Sequence, residues 1–527
     1  MSVSLIPNGS DANESQHRFR IGGMPITAIS FLILTAAISL LTAHYRMIGG
    51  DDLLELWSDK VTSIGQLVRI ERTLPLAIDP FLYHGLTFAG IRLFGVNPAL
   101  LRLPSVFGFL LMQICLFYFV RRVASERAAI FALAFPAITG AFGYTMQIRP
   151  YGVLLGLFGL AILSWQTAVR REAHRSWALV VLALSIAVAI NTHYYGVLLL
   201  VPLFAAELVR VWQSRKVDVP VLMSIGAGTA GVVFLLPFLK GAAGFRNHYE
   251  GGPVPYHVIT QSYNFILLGR GVFSMKTNHL LAIVLGLFIV LVLWGCIRQL
   301  CSKTLMLLDA EFVLLITLSA LPFVGFLLGR FVTHTMEPRY ALGSVIGIAA
   351  LLSIALMPLL TNAIIGRVAL ILLFAVFTCD GIVGIRAEQR ATQHTLPSLI
   401  VSPEIMSAVM ASPSKLLYTQ DIDLFGFVAY HERDAVVRSH MALVYSTDED
   451  MRWNHSDASS LTAFHLKSVQ HYTILSYENV KSEPGEHIFV VDQGGWNWIA
   501  QALAAESVEV KPIGRAFGCE VVSVRFK

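Results

Sequence analysis

Apolar runs of about 20 residues, each long enough to cross a bilayer, recur along most of the chain. They lie near 21–45, 102–120, 127–146, 150–169, 177–192, 195–212, 220–240, 279–297, 310–329, 340–358 and 366–383. The pattern predicts about eleven transmembrane helices. A shorter run at 80–94 is broken by His84 and Arg92, and this predicts an amphipathic helix lying at the interface. Beyond about 385 the pattern changes. Short strand-like runs at 415–418, 435–437, 487–491 and 521–525 alternate with helix-like stretches such as 496–505, which predicts a small α/β domain. The expected fold is therefore mainly α and polytopic. A polar tail (1–20) precedes a transmembrane domain (21–384) with a first outer loop at 47–101, and a soluble α/β domain (385–527) follows.

The polar residues between the runs test this count. With the tail inside, the cytoplasmic turns are 121–127, 170–175, 210–216, 298–303 and the turn ending at Arg367, and each carries Lys or Arg beside a span, as the positive-inside rule asks. An extra span at 80–94 would put these groups outside. Arg18 and Arg20 precede the first run, which is longer than the apolar core of a signal peptide and reads as an uncleaved span. The opposite face receives acids, Arg, His and Tyr instead of plain basic groups. Odd parity places the α/β domain on that face too.

Composition supports the membrane reading: 55% of the 527 residues are hydrophobic and 14% charged, against about 25% charged in soluble domains. The formal net charge of +5 is spread over the turns, so nothing points to nucleic acid. The five cysteines show neither metal-type spacing nor a disulfide pattern.

The candidate chemistry starts at Gly49-Gly50-Asp51-Asp52-Leu53-Leu54-Glu55-Leu56-Trp57, where adjacent acids follow the first span. Juxtamembrane acids are costly to keep without a task. Asp51 and Asp52 read as a general base for an acceptor hydroxyl, as ligands for a divalent metal, or as caps of a short helix from Leu53 to Trp57. Arg149, Arg246, Arg330 and Arg339 on the same face suit a phosphate leaving group, because Arg carries a fixed charge and a bidentate fork; the alternative is anchoring to lipid headgroups. His193, Tyr194 and Tyr195 suit a sugar, or form part of the interfacial aromatic belt. His248 and Glu250 lie in an outer loop of roughly 38 residues, a length typical of lids and binding loops. His334 and Glu337 read similarly.

The order of motifs resembles a known family. The acid pair after the first span is followed by Asp79-Pro80-Phe81-Leu82-Tyr83-His84, then Phe94-Gly95 and Arg102-Leu103-Pro104-Ser105, then Gln147-Ile148-Arg149-Pro150-Tyr151-Gly152, and late in the chain Pro338-Arg339-Tyr340. This order is similar to that of the GT-C fold membrane glycosyltransferases, in particular the Rgt-like lipopolysaccharide glycosyltransferases and the lipid A aminoarabinose transferases. The chain departs from them at Asp79-Pro80, where His-Pro-Pro or Lys-Pro is common, and at Gln147, where an acid is common. The resemblance implies transfer of a sugar, with inversion, from a polyprenyl-phosphate donor to a lipid or glycan acceptor at the outer face of the cytoplasmic membrane, as part of cell-envelope synthesis. Asp51 or Asp52 would be the base, and Asp79, Tyr83, His84, Arg149, Tyr151, His193, Tyr194, Arg246, His248, Glu250, Arg330, Arg339 and Tyr340 would contact substrate. No cofactor follows from it; the residues leave open a divalent metal at Asp51 and Asp52, and His248 and Glu250 read as substrate or metal contacts. A transporter or flippase of a lipid-linked sugar, or a non-catalytic glycolipid-binding relative, are the rival readings.

Overall fold

The computed structural model describes residues 20–21, 23–57, 61–73, 79–245, 254–268, 297, 307–398, 401–432, 434–467, 472–491, 497–506 and 508–526. A short hairpin, β1 (Arg20–Ile21) and β2 (Met24–Pro25), leads into α1 (Ile26–Tyr45). Three helices then fill the first loop: α2 (Asp51–Glu55), α3 (Ile64–Thr73) and α4 (Phe81–Phe94). The long helices α5 (Pro98–Val123), α7 (Tyr151–Val169) and α8 (Arg175–Thr192) form the middle of the bundle, with α6 (Glu126–Ala134) between the first two.

Among the described residues, seven helices are long and apolar enough to cross a membrane, or up to nine if each of two bent pairs counts as one span. Those pairs fall on the predicted spans 127–146 and 310–329. The first bends by 68° between Glu126–Ile138 and Gly140–Met146, and the second by 57° between Asp309–Ser319 and Leu321–Thr333. Each bend has a chemical cause. Pro136 and Pro322 lack the N–H that would continue the ladder, and the side chain of Thr139 caps the next turn by accepting from Ala141 N. The predicted span 340–358 is the shorter apolar helix Ser344–Ala355. The predicted span 279–297 lies outside the described residues except for its last position. The run at 80–94 is the 14-residue α4, which buries Tyr83, His84, Thr87 and Ile91 on one face.

Close contact between α5 and α7 sets the geometry near the acids. A Cβ on Gly108 would sit 2.2 Å from the carbonyl oxygen of Gly152, and one on Gly152 would sit 2.4 Å from that of Ser105, so only glycine permits this backbone approach. Asn97 fixes the start of α5, its side chain accepting from Ala99 N and Leu100 N, each at 3.1 Å. Ser105 Oγ donates to the backbone oxygen of Arg149 at 2.8 Å. The turn before α7 is thereby tied to the start of α5.

At the other end of these helices the charged turns close on one another. Arg122 meets Glu172 at 2.7 Å, and Arg170 grips Glu311 with two contacts of 2.7 Å. Arg175 and Arg210 share Asp218 at 2.6 and 3.0 Å, and Arg210 and the Trp165 indole N–H both reach Glu207 Oε1 at 2.7 Å. Gln213 also reaches across to Asp309. The basic turns read from the sequence at 121–127, 170–175 and 210–216 thus share one end, roughly 30 Å along α5 from Arg102.

After the long helix Ala363–Ser398 the chain forms a six-stranded sheet in the order β5-β4-β3-β6-β8-β7. Strands β3 (Leu417–Thr419), β4 (Met441–Tyr445), β5 (Thr473–Ser476) and β6 (Gly485–Val491) are parallel, and β8 (Cys519–Phe526) is antiparallel to both β6 and β7 (Glu509–Ala516). Helices cover both faces, which explains the nearly unbroken apolar runs of β4 and β6. Leu417, Leu443 and Val490 face one core, and Tyr418, Val444 and Phe489 the other. The first of these cores also contains Trp57, Val61, Leu67 and Ile70 of the first loop. The sheet layer and the loop that carries the acids are therefore packed as one body.

Candidate active site

The two acids at the start of α2 have different surroundings. Successive residues on a helix turn through about 100°, so neighbours in sequence point apart. Asp52 points inward and is 4% exposed. Its Oδ2 meets Arg102 Nη2 at 2.8 Å, and its Oδ1 accepts from the backbone N–H of Ile148 at 2.9 Å. Arg102 has no exposed surface and also donates to the carbonyl oxygens of Ala43, Arg46 and Met47. Asp52 is thus committed to a buried pair joining α2, α5 and the turn before α7. Neither acid caps the helix: Gly50, at φ 56°, occupies that position, and both acids lie in the first turn.

Asp51 points outward, with its side chain 48% exposed. Its contacts are two guanidinium groups at long range, Arg339 Nη2 at 3.5 Å and Arg149 Nη2 at 3.8 Å. Arg149 is buried and also faces Asp79 Oδ2 at 3.3 Å; Asp79 Oδ1 faces His193 Nε2 at 3.5 Å. Asp79 Oδ2 and Arg149 Nε are buried without a hydrogen bond of normal geometry. Arg339 Nε donates to the Tyr151 hydroxyl at 3.1 Å. The rings of Tyr151, His193, Tyr340 and Tyr195 pack in sequence beside these charges, with centroids 5.1, 5.3 and 4.4 Å apart. His193 Nδ1 accepts from Tyr195 N, which leaves its proton on Nε2, toward Asp79.

The charges follow from this packing. Burial opposes ionisation of Asp79, but Arg149, then His193, hold its pKa below the ordinary value. Burial pushes the pKa of His193 down to about 4, with Arg149 and Arg339 adding to the effect and Asp79 opposing it. Burial also works against the charge of Arg149, and Asp79 more than restores it. The result is an exposed carboxylate facing two fixed cations, with a neutral imidazole and several phenol rings as one wall. Among the described residues no group of three His, Cys, Asp or Glu side chains is arranged to hold a metal ion.

The sequence profile of the dolichyl-phosphate-mannose-protein mannosyltransferase family matches residues 79–240. No curated protein matches the chain. Among solved structures, the crystal structure of ArnT from Cupriavidus metallidurans in the apo state aligns with a TM-score of 0.55 and 14% identity, over 94% of this chain and 97% of that one. The same enzyme bound to undecaprenyl phosphate aligns with a TM-score of 0.54, at the same identity and coverage. The chain has the GT-C fold.

Within the GT-C fold of this chain, α2, the turn before α4, the start of α7 with the turn before it, the turn before Tyr194 and the 3-10 turn Pro338–Ala341 contribute to one cluster. It gathers Asp51, Asp79, Arg149, Tyr151, His193, Arg339 and Tyr340 from positions almost 300 residues apart. Other residues singled out in the sequence make different contacts. Tyr194 packs against the bundle core. Arg330 donates to the carbonyl of Val254 at 2.9 Å and lies over the rings of Tyr256 and Phe326. His334 and Glu337 are on exposed turns. Arg246, His248 and Glu250 lie outside the described residues.

Tyr83 and His84 are fully enclosed on α4. His84 Nδ1 is 2.8 Å from Glu55 Oε2, and its Nε2 is 3.8 Å from Glu71 Oε1. Burial opposes the charge on His84, but Glu55 and then Glu71 push its pKa up to about 10. Burial, with help from Glu55 and Asp79 and against His84, pushes that of Glu71 up to about 7. This triad ties α2, α3 and α4 together beneath Asp51. The sequence reading assigned no site role to Glu55, Glu71 or Arg102. Arg102 lies within the Arg-Leu-Pro-Ser motif, and Glu55 one helical turn beyond Asp51, so both carried a signal; Glu71 is the lone acid on the buried face of α3.

Proposed function

We propose that this protein is a glycosyltransferase that moves a sugar from a polyprenyl-phosphate donor to an acceptor hydroxyl at the outer face of the cytoplasmic membrane, with inversion. The observation that carries the reading is the exposed Asp51 carboxylate set against Arg149 and Arg339. In the reaction the acceptor oxygen attacks the anomeric carbon, and Asp51 takes the hydroxyl proton as the C–O bond forms. The bond from that carbon to the phosphate oxygen breaks, and the charge left on the lipid phosphate falls to Arg149 and Arg339, whose positions need no reorganisation. Asp79 holds Arg149 in place, and the Tyr151, His193 and Tyr340 rings offer a face for a sugar. Binding of undecaprenyl phosphate by ArnT of the same fold, and the dolichyl-phosphate-mannose family profile, favour a lipid-phosphate donor. The orientation rests on the basic turns gathering at the end away from Asp51, which the positive-inside rule assigns to the cytoplasm.

The test uses purified protein in vesicles with a radiolabelled polyprenyl-phosphate sugar and an extract of envelope acceptors. The proposal expects label covalently attached to acceptor, with cleavage of the sugar–phosphate bond and release of polyprenyl phosphate. Movement of intact donor across the bilayer without transfer would replace it with the flippase reading; binding alone would replace it with a glycolipid-binding role.

A further inference from the structure

We propose that the helix Ile422–His431 of the C-terminal sheet layer belongs to the working site, with Tyr430 and His431 acting as positioning residues for the segment that carries Asp51. This rests on the sugar-transfer reading above. The segment cannot place its own acid. A five-residue helix has no cooperative stability of its own, and it begins at Gly50 without a side-chain cap. Its position comes from outside, and the attachments divide by origin. Asp52 is held by Arg102 of α5, and Glu55 by His84 of α4. The backbone on either side of α2 is held by one helix of the sheet layer: His431 Nε2 is 2.8 Å from the Ile48 carbonyl oxygen, and the Tyr430 hydroxyl donates to that of Leu56 at 3.1 Å.

These two bonds bracket α2 from below Gly49 to just beyond Glu55. They sit on an apolar contact in which Phe427 and Tyr430 pack against Ile48, Leu53, Leu56, Ile91, Leu101 and Ile148. Gly426 lets the helix come close: a Cβ there would stand 3.1 Å from Leu53 Cδ1, tighter than ordinary contact. The helix itself is fixed at its start by Asp421, whose side chain accepts from Asp423 N and Leu424 N at 2.8 and 3.1 Å. A carbonyl oxygen can only accept, so His431 donates from Nε2, and burial, which lowers its pKa, favours the neutral form that serves this role. The sheet layer thus acts as a splint that sets where Asp51 stands relative to Arg149 and Arg339.

The test compares Tyr430→Phe, His431→Ala, His431→Gln and His431→Asn in the full-length protein. A glutamine amide reaches the place of the imidazole Nε2, whereas an asparagine amide reaches only that of Nδ1. Loss of one positioning bond is expected to lower kcat about tenfold, with KM for the donor held within about twofold. Tyr430→Phe, His431→Ala and His431→Asn should show this drop, and His431→Gln should recover most of the rate. Hydrogen exchange over 48–56 should quicken in the three impaired variants, with α5 unchanged, and this readout does not depend on turnover. If the parent transfers no sugar while exchange responds as stated, the functional reading fails and the splint stands. If the parent transfers sugar and all four variants keep its kcat and its exchange, or if glutamine and asparagine behave alike, the splint is wrong.

Discussion

Among the described residues, both ends of the helical bundle hold charged groups, and they treat them differently. At the end with the basic turns, ion pairs are short and closed: Arg122–Glu172, Arg170–Glu311, Arg175–Asp218 and Arg210–Glu207 all lie between 2.6 and 2.7 Å. At the end with α2, the contacts that Asp51, Asp79, Arg149, His193 and Arg339 make with one another run from 3.3 to 3.8 Å. The first set ties the turns and helix ends at that face to one another. The second keeps like and unlike charges near one another without closing, around a carboxylate open to solvent. Asp52 belongs with the first kind despite standing beside Asp51, since its pair with Arg102 is 2.8 Å and enclosed. Distance and closure, more than residue type, separate the two sets, and on the proposed function the open set is the one that meets substrate.

Substitutions can break this comparison. The largest stability effect is expected at the closed pair of the α2 end. Arg102→Leu strands Asp52 in the interior with one backbone donor, so unfolding should become easier by roughly 3–5 kcal/mol, read from thermal or denaturant midpoints in detergent. A loss below about 1 kcal/mol would place Asp52 with the open set. Arg339→Ala comes next: transfer should fall about a hundredfold, near the loss seen when one preorganised charge donor is removed, with the unfolding midpoint little changed because its contact with Asp51 is long and half open to solvent and its bond to the Tyr151 hydroxyl is a single one. At the opposite end Arg170→Ala should do the reverse, costing roughly 1–3 kcal/mol of stability and leaving the kcat of the folded fraction within about twofold.

A pH dependence of the first loop tests the enclosed groups beneath Asp51. His84 is raised from 6.5 to about 10, so the stability it contributes is fully present below about pH 6.5 and is lost as pH climbs toward 10. Glu71 is raised from 4.5 to about 7, so its contribution also falls as pH rises, through the window from 4.5 to 7. Both signs agree. Hydrogen exchange of 51–57 and 81–87, corrected for the intrinsic rate, should quicken steadily from acid to alkaline pH. Glu55→Gln should remove most of the change above about pH 7, because it takes away the main charge holding the proton on His84. Protection that rises with pH would contradict the buried triad.

Much of the fold was legible in the chain because a bilayer imposes one length on every span, and runs of about 20 apolar residues satisfy few other structures. The bends at Pro136 and Pro322 were less so: a proline marks where a ladder breaks but not through what angle the halves part. The site was legible as a list and not as an arrangement. Asp51 and Asp52 are indistinguishable on paper, and only the rotation between successive helical residues sends one to Arg102 and the other to solvent. Arg102 is legible only as part of the Arg-Leu-Pro-Ser motif, because its partner lies 50 residues earlier. Arg149 and Arg330 carried equal weight in the sequence, yet Arg149 faces the acids while Arg330 lies over Tyr256. The helix Ile422–His431 carried no motif at all, because packing against Leu53 is a property of the folded pair.

The central claim is that Asp51 carries the chemistry. The direct measurement is single-turnover sugar transfer by Asp51→Asn protein in vesicles, with radiolabelled donor first shown to bind as tightly as it does to the parent. Loss of the base predicts a transfer rate lower by roughly 10²–10⁴-fold, with an unfolding midpoint close to the parent value. Transfer at the parent rate by Asp51→Asn protein, with donor bound, would contradict the account.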